Sequence, residues 1–212
     1  MSKAVWRITG LLFCLGCLSV NTWADDYDNM LAQLELIKSN QVEYQIALEE
    51  GKERSMLCGY CHGKDGNSVK PDIPNLAGQN TEYLLKQFQM FATGERKSYV
   101  MQQLARSLKD HEKVNMVLYF SSQTVRPQEG IVTSAKGKAR YDGLCMACHG
   151  VDGRGDHELP RLAGQKKAFL MKTLNDFKKG KAARASSPMV NIMKVVDASD
   201  IEPLADYIAT MP

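Results

Sequence analysis

CGYCHGKDG at residues 58–66 and CMACHGVDG at residues 145–153 are two copies of one unit. A Cys-x-x-Cys-His run is the attachment signature of a c-type haem, whose vinyl groups form thioether bonds to the two thiols while the imidazole becomes an axial iron ligand. On a helix, positions i, i+3 and i+4 lie on one face, so each run can hold one haem. The predicted haem-binding residues are Cys58, Cys61 and His62 in the first unit and Cys145, Cys148 and His149 in the second.

The first 24 residues are typical of a secretory signal peptide, with two basic residues before an apolar run over residues 8–20. Cleavage after Ala24 leaves residues 25–212; a lipoprotein signal acylated at Cys17 is the alternative. No later segment reaches the ~20 apolar residues that a membrane span needs. We therefore expect an exported, periplasmic protein with at most peripheral membrane association.

Removal of the signal peptide leaves four cysteines, all within the two haem runs, so we expect no disulfide. The net charge falls from +3 to +1 because two basic residues leave. Residues 25–120 carry a net charge of −3 (11 basic, 14 acidic) and residues 121–212 one of +4 (14 basic, 10 acidic). A charged protein partner could orient such a dipolar chain, although an accidental distribution over solvated faces is the alternative. No nucleic-acid partner is expected.

The repeat extends well beyond the cysteines. IPNLAGQ at residues 73–79 matches LPRLAGQ at residues 159–165, and at that offset of 86 nine of the 21 positions over residues 74–94 are identical. The chain is therefore a tandem duplication. The predicted organisation is a signal peptide (1–24), an N-terminal helical extension (25–50), a first module (51–120), a linker (121–135) and a second module (136–212).

Each module is predicted to be all-α, because apolar residues recur at i, i+3 and i+4 before a terminating glycine, Gly94 or Gly180. A last helix is expected over residues 112–121 and 200–210, the second one capped by Asp197 and Asp200. Modules this small bury little apolar surface, so a haem would complete each core. Residues 25–50 have no counterpart; we interpret them as an amphipathic helix or helix pair that packs over the first module, or that docks a partner.

The repeat also selects a second axial ligand for each iron. Met101 lies 43 residues after Cys58 and Met189 lies 44 after Cys145, at matched positions. A methionine thioether raises the reduction potential of a haem. The competing Met90 and Met193 face Asp176 and Ala105 in the other copy, so packing is their expected role. The unmatched His111 and His157 are the alternative ligands, and either would give bis-histidine ligation at low potential.

The two haem runs, the Pro-x-Leu-Ala-Gly-Gln after each and the late methionine after each resemble the dihaem cytochrome c4 family, built from two class I cytochrome c modules. The resemblance covers residues 51–211. It implies the axial pairs His62/Met101 and His149/Met189, and it implies that the carbonyls of Pro74 and Pro160 accept a hydrogen bond from the proximal imidazoles. The usual proline before the ligand is present at Pro188 but is Val100 in the first module, and the 25–50 extension is longer than the family's lead-in.

The expected function is that of a periplasmic, non-enzymatic dihaem carrier that moves electrons between respiratory-chain partners, from a quinol-cytochrome c oxidoreductase towards a terminal oxidase. The alternative is a dedicated cytochrome subunit that accepts electrons from a periplasmic dehydrogenase. A dihaem peroxidase would need an open iron site, which the sequence does not supply. A zinc site formed by the four cysteines would leave the adjacent histidines and matched methionines unexplained.

Overall fold

The computed structural model describes residues 22–181 and 183–212; most of the predicted signal peptide, with Cys17, lies outside these residues. Within them the regular structure is helical, with one isolated bridge between Asp156 and Leu159 and no strand. None of the described helices is long and apolar enough to cross a membrane. The helices are α1 (Thr22–Ser39), α2 (Gln41–Arg54), α3 (Gly59–His62), α4 (Thr81–Thr93), α5 (Tyr99–Ser107), α6 (Asp110–Ser121), α7 (Ala135–Leu144), α8 (Met146–His149), α9 (Lys167–Lys178), α10 (Met189–Lys194) and α11 (Ala198–Thr210).

Two successive sets of five helices have the same order and the same packing. In the first set α2 packs on α6, and α4 packs on both α5 and α6; in the second set α7 packs on α11, and α9 packs on both α10 and α11. Each set has its own buried apolar core, one around Leu85 and Val117, the other around Tyr141 and Ile208. The prediction of two tandem all-α modules is confirmed.

A glycine lies where the first and last helices of each set cross. A Cβ atom on Gly51 would lie 2.1 Å from the carbonyl oxygen of Asn115, and one on Gly137 would lie 1.9 Å from that of Pro203. The same Cβ atoms would lie 3.0 Å and 2.9 Å from the Cβ atoms of Tyr119 and Tyr207. In each module the repeated glycine on the first helix therefore packs against the repeated tyrosine on the last helix. Only the hydrogen atom of a glycine side chain fits at this crossing.

The N-terminal extension is a helix pair, as one of the two interpretations of the sequence proposed. In α1, Tyr27, Met30 and Leu34 are buried against the core of the first set. Asn40 caps α2 by accepting hydrogen bonds from two backbone N–H groups at its start. Helix α2 continues to residue 54, so it crosses the predicted boundary between residues 50 and 51, and the extension shares one helix with the first module.

The predicted capping pair in the second module is wrong. Asp197 precedes α11 without a side-chain capping bond, and the helix begins at Ala198 rather than at Asp200. The Asp200 carboxylate, only 2% exposed, instead pairs with Lys136 at 2.7 Å and with Arg140 at 2.5 Å. The hydrogen bond from Lys136 is the main cause that lowers the pKa of this carboxyl group. Two cations on α7 therefore recruit the carboxylate and tie α11 to α7.

The helix crossing predicts opposite effects for two substitutions in α7. Gly137→Ala is expected to destabilise the holoprotein by about 1–3 kcal/mol or more, because the new methyl group would overlap a backbone carbonyl that cannot move freely. Gly143→Ala is the matched control: no atom lies within 4 Å of a Cβ placed there, and alanine favours the helix by roughly 0.5–1 kcal/mol. Denaturant unfolding of both variants checks this, and equal stabilities would contradict it.

Candidate haem-binding sites and the interface between them

Each Cys-x-x-Cys-His run folds as a tight helical turn. The backbone N–H of His62 donates to the carbonyl of Cys58 at 2.8 Å, and that of His149 donates to the carbonyl of Cys145 at 3.0 Å. These i to i+4 bonds place both thiols and the imidazole of each run on one face. None of the four described cysteines forms a disulfide: Cys58, Cys61, Cys145 and Cys148.

The two proximal imidazoles are held in the same way. His62 Nδ1–H donates to the carbonyl oxygen of Pro74 at 2.9 Å, and His149 Nδ1–H donates to that of Pro160 at 3.0 Å. Burial is the main cause that lowers the pKa of both imidazoles, and the bond to the proline carbonyl partly offsets it. A neutral imidazole bonded through Nδ1 presents the lone pair of Nε2 to a metal, which is how metal-binding histidines are usually oriented.

The first cysteine of each run is partly buried. Burial raises the pKa of Cys58, and it raises the pKa of Cys145 to about 11. Both side chains border the apolar core of their own module. Unpaired thiols on the same helical face as an oriented imidazole fit the thioether attachment of a haem. In the part of the chain that the structure describes, no group of three or more His, Cys, Asp or Glu side chains is placed to hold a metal ion.

The four methionines considered as ligands have different surroundings. Met101 is partly buried and borders a small cluster around Phe91; Met189 is partly buried and borders the same core as Cys145. Met193 is 2% exposed and belongs to the core itself, while the Met90 sulfur accepts a hydrogen bond from Gln87 at 3.8 Å. The two competitors therefore have packing or polar partners of their own.

Both alternative histidine ligands are exposed to solvent. His157 lies in a loop with a positive φ of 49°, and its Nδ1 atom lies 2.8 Å from a carboxylate oxygen of Glu82 in the other module. The hydrogen bond to Glu82 is the main cause that raises the pKa of this imidazole, and the charges of Glu82 and Asp156 act in the same direction. His157 thus takes part in the contact between the modules.

Two arginines that the sequence analysis did not identify meet at this interface. Arg96 lies over the ring of Phe91 at 4.6 Å, and its repeat equivalent Arg184 lies over the ring of Phe177 at 5.3 Å. Both donate to Gln87 Oε1, at 2.7 Å and 3.4 Å. Desolvation, more than the nearby Arg184 charge, lowers the pKa of Arg96 to about 10. Each arginine lies five residues before the late methionine of its module, and this matched position could have identified the pair from the sequence.

These arginines provide a test of whether the chain fits a haem. Among the residues that the structure describes, neither guanidinium forms a salt bridge with a carboxylate, and both bond to the neutral Gln87 amide. Two neighbouring, partly desolvated cations are costly without an anion. A haem carries two propionate groups, so its anionic edge would supply the missing charge. The oriented imidazoles, the free thiols and this uncompensated positive charge all fit a haem in each module.

Hydrogen bonds and the apolar side chain of Val125 join the modules. Tyr27 donates to Glu158 at 2.6 Å, so the N-terminal extension also reaches the second module. A Cβ atom on Gly78 or on its equivalent Gly164 would lie 2.7 Å or 2.6 Å from one of the two methyl groups of Val125. A single linker side chain therefore packs against the same glycine of both copies, and both glycines have positive φ.

Known proteins share this architecture. The cytochrome c family model matches residues 134–212. Cytochrome c4 of Azotobacter vinelandii is 33% identical over 180 residues, which cover 74% of this chain and 86% of the relative. The crystal structure of reduced recombinant cytochrome c4 from Pseudomonas stutzeri matches with a TM-score of 0.68 at 31% identity and covers 77% of this chain and 98% of that chain. A thiosulfate dehydrogenase electron acceptor of Stutzerimonas stutzeri is 29% identical, over 74% of this chain and 80% of the relative.

The fold and its two matched sites define a dihaem electron-transfer protein with class I cytochrome c modules. The chain belongs to the cytochrome c4 family. It carries two covalently attached haem c groups and exchanges electrons with redox proteins. The predictions of family, fold class and cofactor are therefore confirmed.

The contact between His157 and Glu82 predicts a pH-dependent interface. Because the pKa of His157 is raised in the folded protein, this contact stabilises the folded state. The stabilisation is complete below the ordinary histidine pKa of about 6.5 and is lost as the pH rises through the raised value. NMR titration of the His157 ring should show the raised pKa. In Glu82→Gln the pKa should fall back towards the ordinary value; an unchanged pKa in this variant would contradict the assignment.

Proposed function

We propose that this cytochrome is a periplasmic electron carrier that accepts electrons from a quinol-cytochrome c oxidoreductase and delivers them towards a terminal oxidase. It performs no bond chemistry of its own, since two protein ligands would close each iron. The observation that carries the proposal is the matched pair of sites, each with two free thiols, an oriented imidazole and a late methionine. The signal-like N-terminus, residues 1–24, supports export.

The proposed sites follow the duplication. Residues 51–120 and 136–212 form the two modules, joined by the linker 121–135. The residues that hold the haems are Cys58, Cys61, His62 and Met101 in the first module and Cys145, Cys148, His149 and Met189 in the second, with the carbonyls of Pro74 and Pro160 orienting the imidazoles.

When bound, each haem supplies an iron that gains or loses one electron. The protein sets the reduction potential of this iron. As a ligand, the thioether of Met101 or Met189 would favour the reduced iron and raise the potential. The proline carbonyls hold the imidazole tautomer, and Arg96 and Arg184 provide positive charge for the propionates. Placing two haems in one chain allows electron transfer within the molecule and storage of two electrons.

The ligand assignment predicts a large effect at one methionine and a small effect at its neighbour. Met189→His is expected to convert the second module to bis-histidine ligation and to lower the potential of that haem, because imidazole is a harder ligand than thioether. Met193→Leu is the matched control, a volume-conserving change of a buried residue that is expected to leave both potentials in place. A redox titration followed optically and by EPR measures both variants.

The reverse pattern, with a low potential in Met193→Leu and an unchanged one in Met189→His, would show that the register of the repeat does not select the ligand. The same comparison between Met101→His and Met90→Leu tests the first module, where Val100 replaces the proline.

A second candidate function is that of an electron acceptor for a periplasmic dehydrogenase. Two relatives are named thiosulfate dehydrogenase electron acceptors, at 29% and 26% identity. The helix pair α1–α2 also exposes three apolar side chains: Leu36 (70% exposed), Val42 (66%) and Ile46 (47%). These residues are absent from the core described above, so they are available for docking.

The two functions differ in which reaction is fast. The carrier proposal expects rapid oxidation of the reduced protein by membranes that contain a terminal oxidase, and slow reduction by a purified thiosulfate dehydrogenase with thiosulfate. Stopped-flow absorbance measures both rates. The acceptor function predicts instead that reduction by the dehydrogenase is the fast step. The triple variant Leu36→Ser, Val42→Ser, Ile46→Ser should then slow this reduction, and the exposed linker control Val132→Ser should not. This combined result would replace the carrier function with the acceptor function.

A further inference from the structure

Two buried glutamines reach across the interface in a reciprocal arrangement. Gln79 and Gln165 end the repeated Leu-Ala-Gly-Gln and are 5% and 7% exposed. Gln165 Oε1 accepts from the backbone N–H of Asn75 at 2.7 Å, and its Nε2 donates to the Asn75 carbonyl at 3.1 Å. Gln79 Oε1 accepts from the N–H of Arg161 at 2.7 Å, and its Nε2 donates to the Arg161 carbonyl at 2.9 Å. Each side chain is therefore bonded to the equivalent residue of the other module.

The bonded N–H groups belong to the peptide units that hold the proximal histidines. The Pro74–Asn75 peptide accepts the His62 Nδ1–H at its carbonyl, and its N–H donates to Gln165. The Pro160–Arg161 peptide accepts the His149 Nδ1–H, and its N–H donates to Gln79. Each imidazole is thus joined, through one peptide group, to a glutamine of the opposite module.

Hydrogen bonds that are linked through one peptide group strengthen one another. An acceptor on the N–H side of a peptide polarises the group and makes its carbonyl a better acceptor, by about 10–30% per bond. A stronger bond at Nδ1 increases the electron density on the imidazole, and bonds of this outer shell tune the metal that the ring binds. Greater density at Nε2 stabilises ferric iron over ferrous iron.

We infer that Gln79 and Gln165 are crossed positioning residues: each holds the peptide that orients the proximal histidine of the other module and lowers the potential of the haem bound there. The inference rests on the proposed ligation by His62 and His149. Its distinctive consequence is that a substitution in one module shifts the haem of the opposite module.

The test uses the holoprotein variants Gln165→Leu and Gln79→Leu, which keep the side-chain size but remove the accepting oxygen. NMR during a redox titration assigns each potential to its haem. Gln165→Leu is expected to raise the equilibrium constant for reduction of the His62 haem about threefold, or ~28 mV for a one-electron step, with a smaller change at the His149 haem. Gln79→Leu is expected to give the reverse pattern. The His62 Nδ1 proton should also exchange faster in Gln165→Leu.

Two further variants separate this effect from loosening of the interface. Tyr27→Phe removes the inter-module bond to Glu158, which contacts neither proline peptide, and is expected to shift neither potential. Gln165→Glu keeps the accepting oxygen and adds negative charge, so it is expected to lower the potential of the His62 haem more than that of the other; it also serves if the leucine variants do not fold.

Shifts on the glutamine's own module, equal shifts on both haems, or unchanged potentials with unchanged proton exchange would overturn the inference. The proposed function fails in a different way: wild-type protein without two six-coordinate, histidine-ligated haems by EPR and optical spectroscopy would refute the ligation itself, whatever the variants show.

Discussion

In each half of the molecule an imidazole, half-buried in His62 and buried in His149, donates its Nδ1–H to the carbonyl of a proline 12 or 11 residues further along the chain. This bond closes the loop after the Cys-x-x-Cys-His turn and fixes which nitrogen of His62 or His149 carries the proton. It leaves Nε2 free on the same helical face as the thiols. The orientation of the proposed axial ligand and the position of the following loop both depend on this one contact.

The same loop also forms the interface between the modules. The residue after each proline is held by a glutamine of the opposite module, and the glycine before that glutamine packs against Val125 of the linker. Neutral hydrogen bonds between buried groups make this contact geometrically specific, because an unpaired buried amide would be costly. The interface is therefore built from the same loops that orient the two imidazoles, close to the proposed haem sites rather than at remote surfaces.

The copies are nevertheless unequal. Val100 stands where the second module has Pro188, and α1 covers only the first core. Tyr27 of that helix also reaches Glu158, so the extension touches both modules. The pKa of Tyr27 is raised, chiefly by burial and then by this hydrogen bond. The two proposed haem sites therefore have different surroundings although their proposed ligand sets match.

Much of the architecture could be predicted, because haem attachment and helix termination depend on local spacing. The two thiols and the imidazole occupy one helical turn, and Gly94, in the left-handed conformation, ends α4 as expected. The failures involve contacts between distant residues. Asp200 was expected to cap its own helix, yet two cations on a helix some 60 residues earlier bind its carboxylate. Local sequence gives no information about such a competitor.

The sequence alone determined that this protein has two haems and a duplicated helical unit, and it supplied the residues proposed to attach the haems, since those features follow from residue type and short-range periodicity. A repeat shows which residues are equivalent but not which residues face each other. Only the tertiary structure decided that Gln79 and Gln165 exchange partners across the interface, and that Arg96 and Arg184 bring uncompensated charge to one place. The physical reason is that buried polar groups must find partners in three dimensions, and folding brings those partners from the other copy.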